Sequence, residues 1–108
     1  MLKKASKTKA SAAPGTRVAI VASRYNARYV NSMLRAAKAE LAKAKVAAEV
    51  VRVPGAFEMP AVASALARRL TNPIDAILCL GVILRGETTH AENIAQAVTG
   101  ALAQLQVE

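Results

Sequence analysis

Three short apolar runs, each followed by a helical pattern, constrain the fold of this chain more than any other feature. Residues 18–22, 47–53 and 75–82 are the apolar runs, and their length and β-branched content predict strands. The segments after them repeat apolar residues every three or four positions, which predicts helices over 29–44, 57–70 and 89–106. This β-α-β-α-β-α order predicts an α/β fold with a parallel sheet and helices on both of its faces.

The third predicted strand differs from the first two in being apolar on both faces. Such a pattern is typical of a central parallel strand covered by helices, so we expect residues 75–82 at the centre of the sheet. Cys79 lies in this strand, and we interpret it as a small buried hydrophobic side chain.

The first sixteen residues have a composition unlike the rest of the chain. They contain four lysines and no acidic residue, and they account for much of the net charge of +8. Lys, Ser, Ala and Pro-Gly bury too little surface to offset the entropy of ordering, so we predict a disordered tail over 1–16 and one domain over 17–108. A transit peptide and a nucleic-acid-binding tail are alternatives, but the tail lacks arginine and aromatic residues.

Composition excludes several classes of protein. One cysteine and one histidine can form neither a disulfide framework nor a structural zinc site, and no glycine-rich nucleotide motif is present, so we expect no metal and no cofactor. No apolar run approaches the ~18 residues of a membrane span, and no signal-peptide core occurs, so we expect a cytoplasmic protein that binds neither membranes nor nucleic acid. The apolar content of 54% suggests additional burial against partner subunits.

Polar and aromatic residues follow each predicted strand. They occupy residues 23–26, 54–58 and 84–90, and the last cluster leads directly into the third helix. Because the carboxyl ends of parallel strands meet at one edge of the sheet, we expect the three clusters to surround one ligand site.

Individual residues in these clusters have two interpretations. Glu58 either favours the helix dipole or binds a ligand, and Tyr25 either packs or stacks on a flat ring. Thr89 fits an N-cap, and this role is compatible with an anion site. Arg85 is either a solvated charge or the partner of an anion. His90 is either a surface residue or a catalytic base.

The same clusters resemble the 6,7-dimethyl-8-ribityllumazine synthase family. The resemblance covers residue 17 to the end of the chain and is most specific in Val-Pro-Gly-Ala-Phe-Glu-Met-Pro at 53–60 and Arg-Gly-Glu-Thr-Thr-His at 85–90. It implies a flavodoxin-like subunit of a homopentamer, in some members of a sixty-subunit shell. It also implies a transferase of riboflavin biosynthesis that condenses 5-amino-6-(D-ribitylamino)uracil with 3,4-dihydroxy-2-butanone 4-phosphate.

The resemblance also implies roles for particular residues. Tyr25 would stack on the pyrimidine and Glu58 would bind the ribityl chain, while His90 would transfer protons at a helix start that favours its neutral imidazole. Arg85 and Gly86 would support the phosphate loop. The substrate-binding positions implied are Tyr25, Asn26, Ala56, Phe57, Glu58, Ile83, Leu84, Glu87, Thr88 and Thr89.

Two departures from the family pattern affect these expectations. Glu87 places a carboxylate near the expected phosphate, and Arg85 would have to offset its charge. The sequence ends at Glu108, whereas a domain of this class has ~150 residues, so we expect a fourth strand and the last helices to be absent. Besides the enzyme, a self-assembling structural homologue and a flavin- or pyrimidine-binding module therefore remain as alternatives.

Overall fold

The computed structural model describes residues 15–84 and 90–106, and for residues 90–94 and 106 it describes the backbone alone. Three strands alternate with three helices, which confirms the predicted α/β fold. The elements are β1 (Arg17–Ser23), α1 (Ala27–Lys43), β2 (Ala47–Val53), a 3-10 turn (Ala56–Glu58), α2 (Met59–Ala67), β3 (Ala76–Leu80) and α3 (His90–Gln106).

The strands form one parallel sheet in the order β2-β1-β3. Ile20 of β1 is aligned with Val50 of β2 on one side and with Leu78 of β3 on the other. Within the described residues β1 is therefore the central strand and β3 lies at an edge, so the expectation that residues 75–82 form the central strand is wrong. On one face of β3, Ile77 and Cys79 pack against the core around α2, and this contact explains why that face is apolar.

Helices cover both faces of β1. Successive side chains of a strand point to opposite faces of the sheet, and both faces of β1 are covered by protein. Every residue from Ala19 to Ser23 is therefore almost fully buried. Ala19 and Val21 belong to a cluster with Met59 and Leu66 of α2. The intervening side chains face α1, as right-handed crossovers to strands on opposite sides of β1 require.

Helix α1 packs through the stripe predicted from its sequence. Val30 is fully buried, and Met33, Leu34, Ala37 and Leu41 are partly buried at spacings of three and four residues. The helix ends at Lys43, and Lys45, two residues further on, has a left-handed φ of 59°. The N–H groups of Lys45 and Val46 donate to the carbonyl oxygens of Ala42 and Leu41, and this pair of bonds is a Schellman motif.

Helix α2 begins after the 3-10 turn, with Pro60 in its first turn, where the missing N–H of proline costs no hydrogen bond. Helix α3 packs against α2 and against the 3-10 turn. No helix in the described ranges is long and apolar enough to cross a membrane.

Candidate functional site at the carboxyl edge of the sheet

The structure brings together the loops that follow β1, β2 and β3. In the first loop, the N–H groups of Arg24 and Tyr25 donate to the carbonyl oxygens of Val53 and Pro54 at 2.7 and 3.0 Å. The Asn26 side chain reaches the third loop, where its Nδ2 donates to the carbonyl oxygen of Val82 at 2.7 Å. The carboxyl edge of the sheet is therefore one connected surface.

Asn26 has a backbone conformation that turns the chain from β1 into α1. Its φ of 59° and ψ of 42° are left-handed, a conformation that asparagine adopts more readily than most residues. Its carbonyl oxygen accepts hydrogen bonds from the N–H groups of Tyr29 and Val30, which begin α1. One residue thus reverses the chain, begins the helix and, through its amide, connects the first loop to the third.

The second loop is organised around the carboxylate of Glu58. Oε1 of Glu58 accepts a hydrogen bond from the Gly55 N–H at 2.8 Å, and the Glu58 N–H donates to the Gly55 carbonyl oxygen at 3.2 Å. This reciprocal pair closes the 3-10 turn that carries Ala56 and Phe57. Glu58 therefore has a structural role, and because its side chain is also exposed, the predicted ligand role is compatible with it.

The third loop approaches the second through Gly81. A Cβ atom at Gly81 would lie 2.9 Å from Cε of Met59 and 3.4 Å from Cβ of Ala56. Glycine thus allows the end of β3 to lie against the start of α2. Ile83, which follows, is partly buried, and Leu84 is exposed.

Each of the three loops exposes a large apolar side chain. Tyr25 is 73% exposed, Phe57 61% and Leu84 57%. Apolar side chains are exposed elsewhere too, Leu70 most of all at 94%, but these three lie on loops that meet at one edge, which is typical of a surface that another molecule covers. Exposed rings on the first two loops and an exposed carboxylate on the second provide apolar and polar contacts for a ligand.

Helix α3 runs beside α2 in the same direction. Its last turns, at Leu102 and Leu105, line a groove with Ala63 and Ala67 of α2, and α3 also contacts the 3-10 turn before α2. Its first residue, His90, is therefore at the same edge as the three loops. The side chain of His90 and the predicted residues Arg85, Gly86, Glu87, Thr88 and Thr89 lie outside the described residues.

Sequence reasoning overlooked Arg52, near the end of β2. Its Nη2 donates to the carbonyl oxygen of Ser23 at 3.2 Å and to Oδ1 of Asn31 at 2.9 Å. Its Nε is buried without a hydrogen-bond partner. The only signal in the sequence is a single charge within the apolar run Val-Val-Arg-Val.

The groove between α2, α3 and the start of β3 has a volume of about 450 Å³ and differs from the carboxyl edge in its mostly apolar lining. Its lining is apolar apart from Asp75, whose Oδ2 accepts a hydrogen bond from the Arg17 N–H at 2.8 Å. It adjoins the first residues of β3, so it lies away from the carboxyl edge.

Cys79 lies in β3, on the face that packs against α2. Burial raises the pKa of the Cys79 thiol, which packs against the core around α2 but is partly rather than fully buried. Among the side chains that the structure describes, in residues 15–84 and 95–105, no group of three or more His, Cys, Asp or Glu residues could hold a metal ion.

Comparison with known proteins agrees with the sequence resemblance. The sequence model of the 6,7-dimethyl-8-ribityllumazine synthase family matches residues 15–108. Proteins named 6,7-dimethyl-8-ribityllumazine synthase from Kineococcus radiotolerans and Clavibacter michiganensis are 43% and 42% identical over 95 and 90 residues. One from Methylobacterium sp. is 40% identical over 94 residues.

These alignments cover most of this chain but only part of each relative. They include 86%, 83% and 84% of this chain, and 56%, 54% and 52% of the respective relative. The chain thus spans just over half the length of these relatives. Because the family model matches nearly all of the described fold, the chain belongs to the 6,7-dimethyl-8-ribityllumazine synthase family.

Proposed function

We propose that this protein acts as a 6,7-dimethyl-8-ribityllumazine synthase. In this reaction the 5-amino group of 5-amino-6-(D-ribitylamino)uracil attacks the ketone of 3,4-dihydroxy-2-butanone 4-phosphate. An imine forms with loss of water, phosphate leaves, and ring closure with loss of a second water gives the lumazine. The observation that carries the proposal is the hydrogen-bonded convergence of the Tyr25, Glu58 and Val82 loops on one edge of the sheet.

The pyrimidine substrate would bind across the first and third loops. Tyr25 offers an exposed ring for stacking, and Asn26 fixes the distance between the two loops through Val82. The backbone of Ile83 and Leu84 would meet the polar edge of the pyrimidine. Their position directly after β3 supports this role, because backbone groups beyond a strand end are free to bind a ligand.

The ribityl chain would lie along the second loop. Its hydroxyl groups would donate to the Glu58 carboxylate, which the Gly55 N–H holds in place, and the Ala56 backbone would provide a further contact. Phe57 is exposed beside them and would shield these hydrogen bonds from water.

The butanone phosphate would bind where the third loop leads into α3. The start of a helix favours an anion, and we assign the phosphate contacts to the backbone N–H of Glu87 and to Thr88 and Thr89. Gly86 would support this loop, and Arg85 would offset the charge of the Glu87 carboxylate. We assign proton transfer to His90, the first residue of α3. Holding both substrates at one edge would contribute to the acceleration by proximity.

We further propose that the protein is a homopentamer or a larger shell of pentamers. Its family supports this proposal, as do the apolar side chains exposed at the edge where the site lies.

The proposal is tested by measuring lumazine formation from both substrates with the wild type, His90→Ala and Gln96→Ala. We expect turnover by the wild type and Gln96→Ala, and about 10²- to 10⁴-fold slower turnover by His90→Ala. Gln96 is an appropriate control because it is exposed on the same helix. Equal turnover by His90→Ala would contradict the proton-transfer role.

A second measurement separates an enzyme from a binding module. Isothermal titration with 6,7-dimethyl-8-ribityllumazine reports binding whether or not turnover occurs. Binding without turnover would indicate a pyrimidine-binding module, and absence of both would contradict the proposed site.

A further inference from the structure

The side chain of Arg52 spans the segment that contains Tyr25. Its Nη2 donates to the carbonyl oxygen of Ser23, the last residue of β1, and to Oδ1 of Asn31, which lies early in α1. A single nitrogen from β2 therefore bonds to the chain on both sides of the first loop. No other side chain described at this edge bonds to both flanks of that loop.

Ser23 connects Arg52 to Tyr25, since it accepts a hydrogen bond from Arg52 and donates one to Tyr25. Ser23 is 1% exposed, and its hydroxyl donates to the carbonyl oxygen of Tyr25 at 3.2 Å. The Tyr25 N–H in turn donates to the carbonyl oxygen of Pro54. The Tyr25 ring itself is largely exposed, so these bonds fix the backbone that carries the ring, whereas packing contributes little to its position.

Arg52 is a costly residue for a purely structural role. Its two hydrogen bonds within the described residues go to uncharged oxygens, and its Nε is buried without a partner. A buried N–H group without a hydrogen bond reduces stability, and an apolar residue in the strand would avoid that loss. Such local costs are typical of positions that serve a functional site.

We propose that Arg52 is a positioning residue that fixes the Tyr25 loop in the conformation that binds ligand. The inference rests on the proposed function in so far as Tyr25 stacks on the pyrimidine. A loop that is ordered before binding loses less entropy when the ligand binds, so Arg52 raises affinity without touching the ligand.

The position of the ring is tested without any ligand. The chain has two tyrosines, so Tyr29→Phe leaves Tyr25 as the only tyrosine and its ring as the only signal in ¹³C-tyrosine NMR spectra. In this background we expect Arg52→Met to shift the ring resonances and to lower their order parameters.

Arg69→Met is the matched control. Arg69 bonds to Glu49 of the same strand at the other end of the sheet, so its loss also removes one positive charge and a contact to β2. We expect the Tyr25 resonances to remain unchanged in this variant. An unchanged Tyr25 ring in Arg52→Met, or an equal change in Arg69→Met, would overturn the positioning role.

Affinity provides the second measurement. By calorimetry we expect Arg52→Met to raise the Kd for 6,7-dimethyl-8-ribityllumazine roughly fivefold, which corresponds to the loss of one net hydrogen bond. In a turnover assay KM for the pyrimidine should rise similarly, while kcat stays within about twofold, since the ring does not enter the chemical steps. Arg52→Lys should restore part of the affinity because it keeps a charged donor on a slightly shorter side chain.

A double variant at Arg52 and Asn31 tests whether the effect on Kd depends on the hydrogen bond between these two side chains. Asn31→Leu removes one acceptor of the Arg52 bond, so its effect on Kd should not add to that of Arg52→Met. Additive effects, or a mobile ring with unchanged Kd, would overturn the proposal. If the wild type binds no ribityllumazine, the proposed function fails, whereas the ring measurement still decides whether Arg52 positions the loop.

Discussion

Single residues at the carboxyl edge serve the fold and the candidate site together. Asn26 begins α1 through its carbonyl oxygen and bonds to Val82 through its amide. Glu58 closes the turn before α2 and presents its carboxylate at the surface. Substitutions at such residues must therefore be chosen so that one role is kept while the other is removed.

Glu58→Gln separates the two roles of this residue. Glutamine keeps an oxygen that can accept the hydrogen bond from the Gly55 N–H, so we expect the unfolding midpoint in urea to change little. It removes the charge, so the affinity for ribityllumazine should fall about tenfold, because hydrogen bonds to a carboxylate are stronger than those to a neutral amide.

Calorimetric titration measures this difference, and Glu40→Gln is the control. Glu40 is an exposed carboxylate of α1 that pairs with Lys43 of the same helix. Equal ribityllumazine affinity in Glu58→Gln and the wild type would leave Glu58 with its role in the turn alone.

The contrast between Tyr25 and Arg52 shows what sequence reasoning can find at the residue scale. Tyr25 was predicted as a site residue because it follows a strand, and strand ends can be located from local pattern. Arg52 was missed because its hydrogen-bond partners are 29 and 21 positions away in the sequence. Contacts across such separations depend on strand order and side-chain direction, and neither is encoded in a local pattern.

At the element scale, α1 ends without the glycine that usually follows a helix. Lys45 adopts the left-handed conformation of the Schellman motif, which costs an ordinary residue about 1–2 kcal/mol. The two hydrogen bonds of the motif stabilise this conformation, in which the chain turns from α1 toward β2.

We predict that Lys45→Gly stabilises the protein by about 0.5–1 kcal/mol, because glycine removes the steric cost but increases the entropy of the unfolded chain. Ala44→Gly is the control, since Ala44 has a φ of −83° and gains nothing from glycine. Urea unfolding should show opposite changes for the two variants. A loss of stability in both would contradict the steric argument.

A second connection at this scale joins β2 to the turn after α2. Arg69 forms two hydrogen bonds with the Glu49 carboxylate, at 2.8 and 2.9 Å, and also donates to the carbonyl oxygen of Asn72. The hydrogen bond from Arg69 holds the pKa of Glu49 below its usual range, and the carboxylate raises the pKa of Arg69.

This pair predicts a defined dependence of stability on pH. Because the pKa of Glu49 is lower in the folded state, its contribution is fully present above the unfolded pKa and is lost as pH falls through the folded pKa. The difference in urea midpoint between wild type and Glu49→Gln should therefore be constant above about pH 5 and should shrink in acid. A difference that persists unchanged at pH 3 would show that the charge of Glu49 does not stabilise the fold.

The elements also show why prediction of the fold was incomplete. The order of strands and helices was predicted correctly because hydrophobic periodicity is local. Residues 75–82 are apolar on both faces, which predicts a central strand. The structure instead places β1 between β2 and β3, and only pairing between distant strands could have revealed that order.

At the scale of the whole molecule, the proposed assembly predicts the size of the particle. We expect light scattering to give a mass that is a multiple of five chains of 11.3 kDa. The apolar side chains of Tyr25, Phe57 and Leu84 are exposed in the single chain, and contact with a neighbouring subunit would remove part of that surface from water.

Dilution provides the control for this measurement. A specific pentamer should keep its mass over a range of concentrations before it dissociates, whereas non-specific association should change continuously. A stable monomer at all concentrations would contradict the proposed assembly while leaving the fold unaffected.

The central position of β1 has a consequence for how this protein is made. The ribosome produces β1 before either neighbouring strand, yet the hydrogen bond between Arg17 and Asp75, at the start of β3, joins residues 58 positions apart. At about 5–20 residues per second, the nascent chain carries β1, its most deeply buried strand, for roughly 3–12 s before the second flank can pair. Synthesis of β1 is thus complete well before the chain contains both of the strands that flank it.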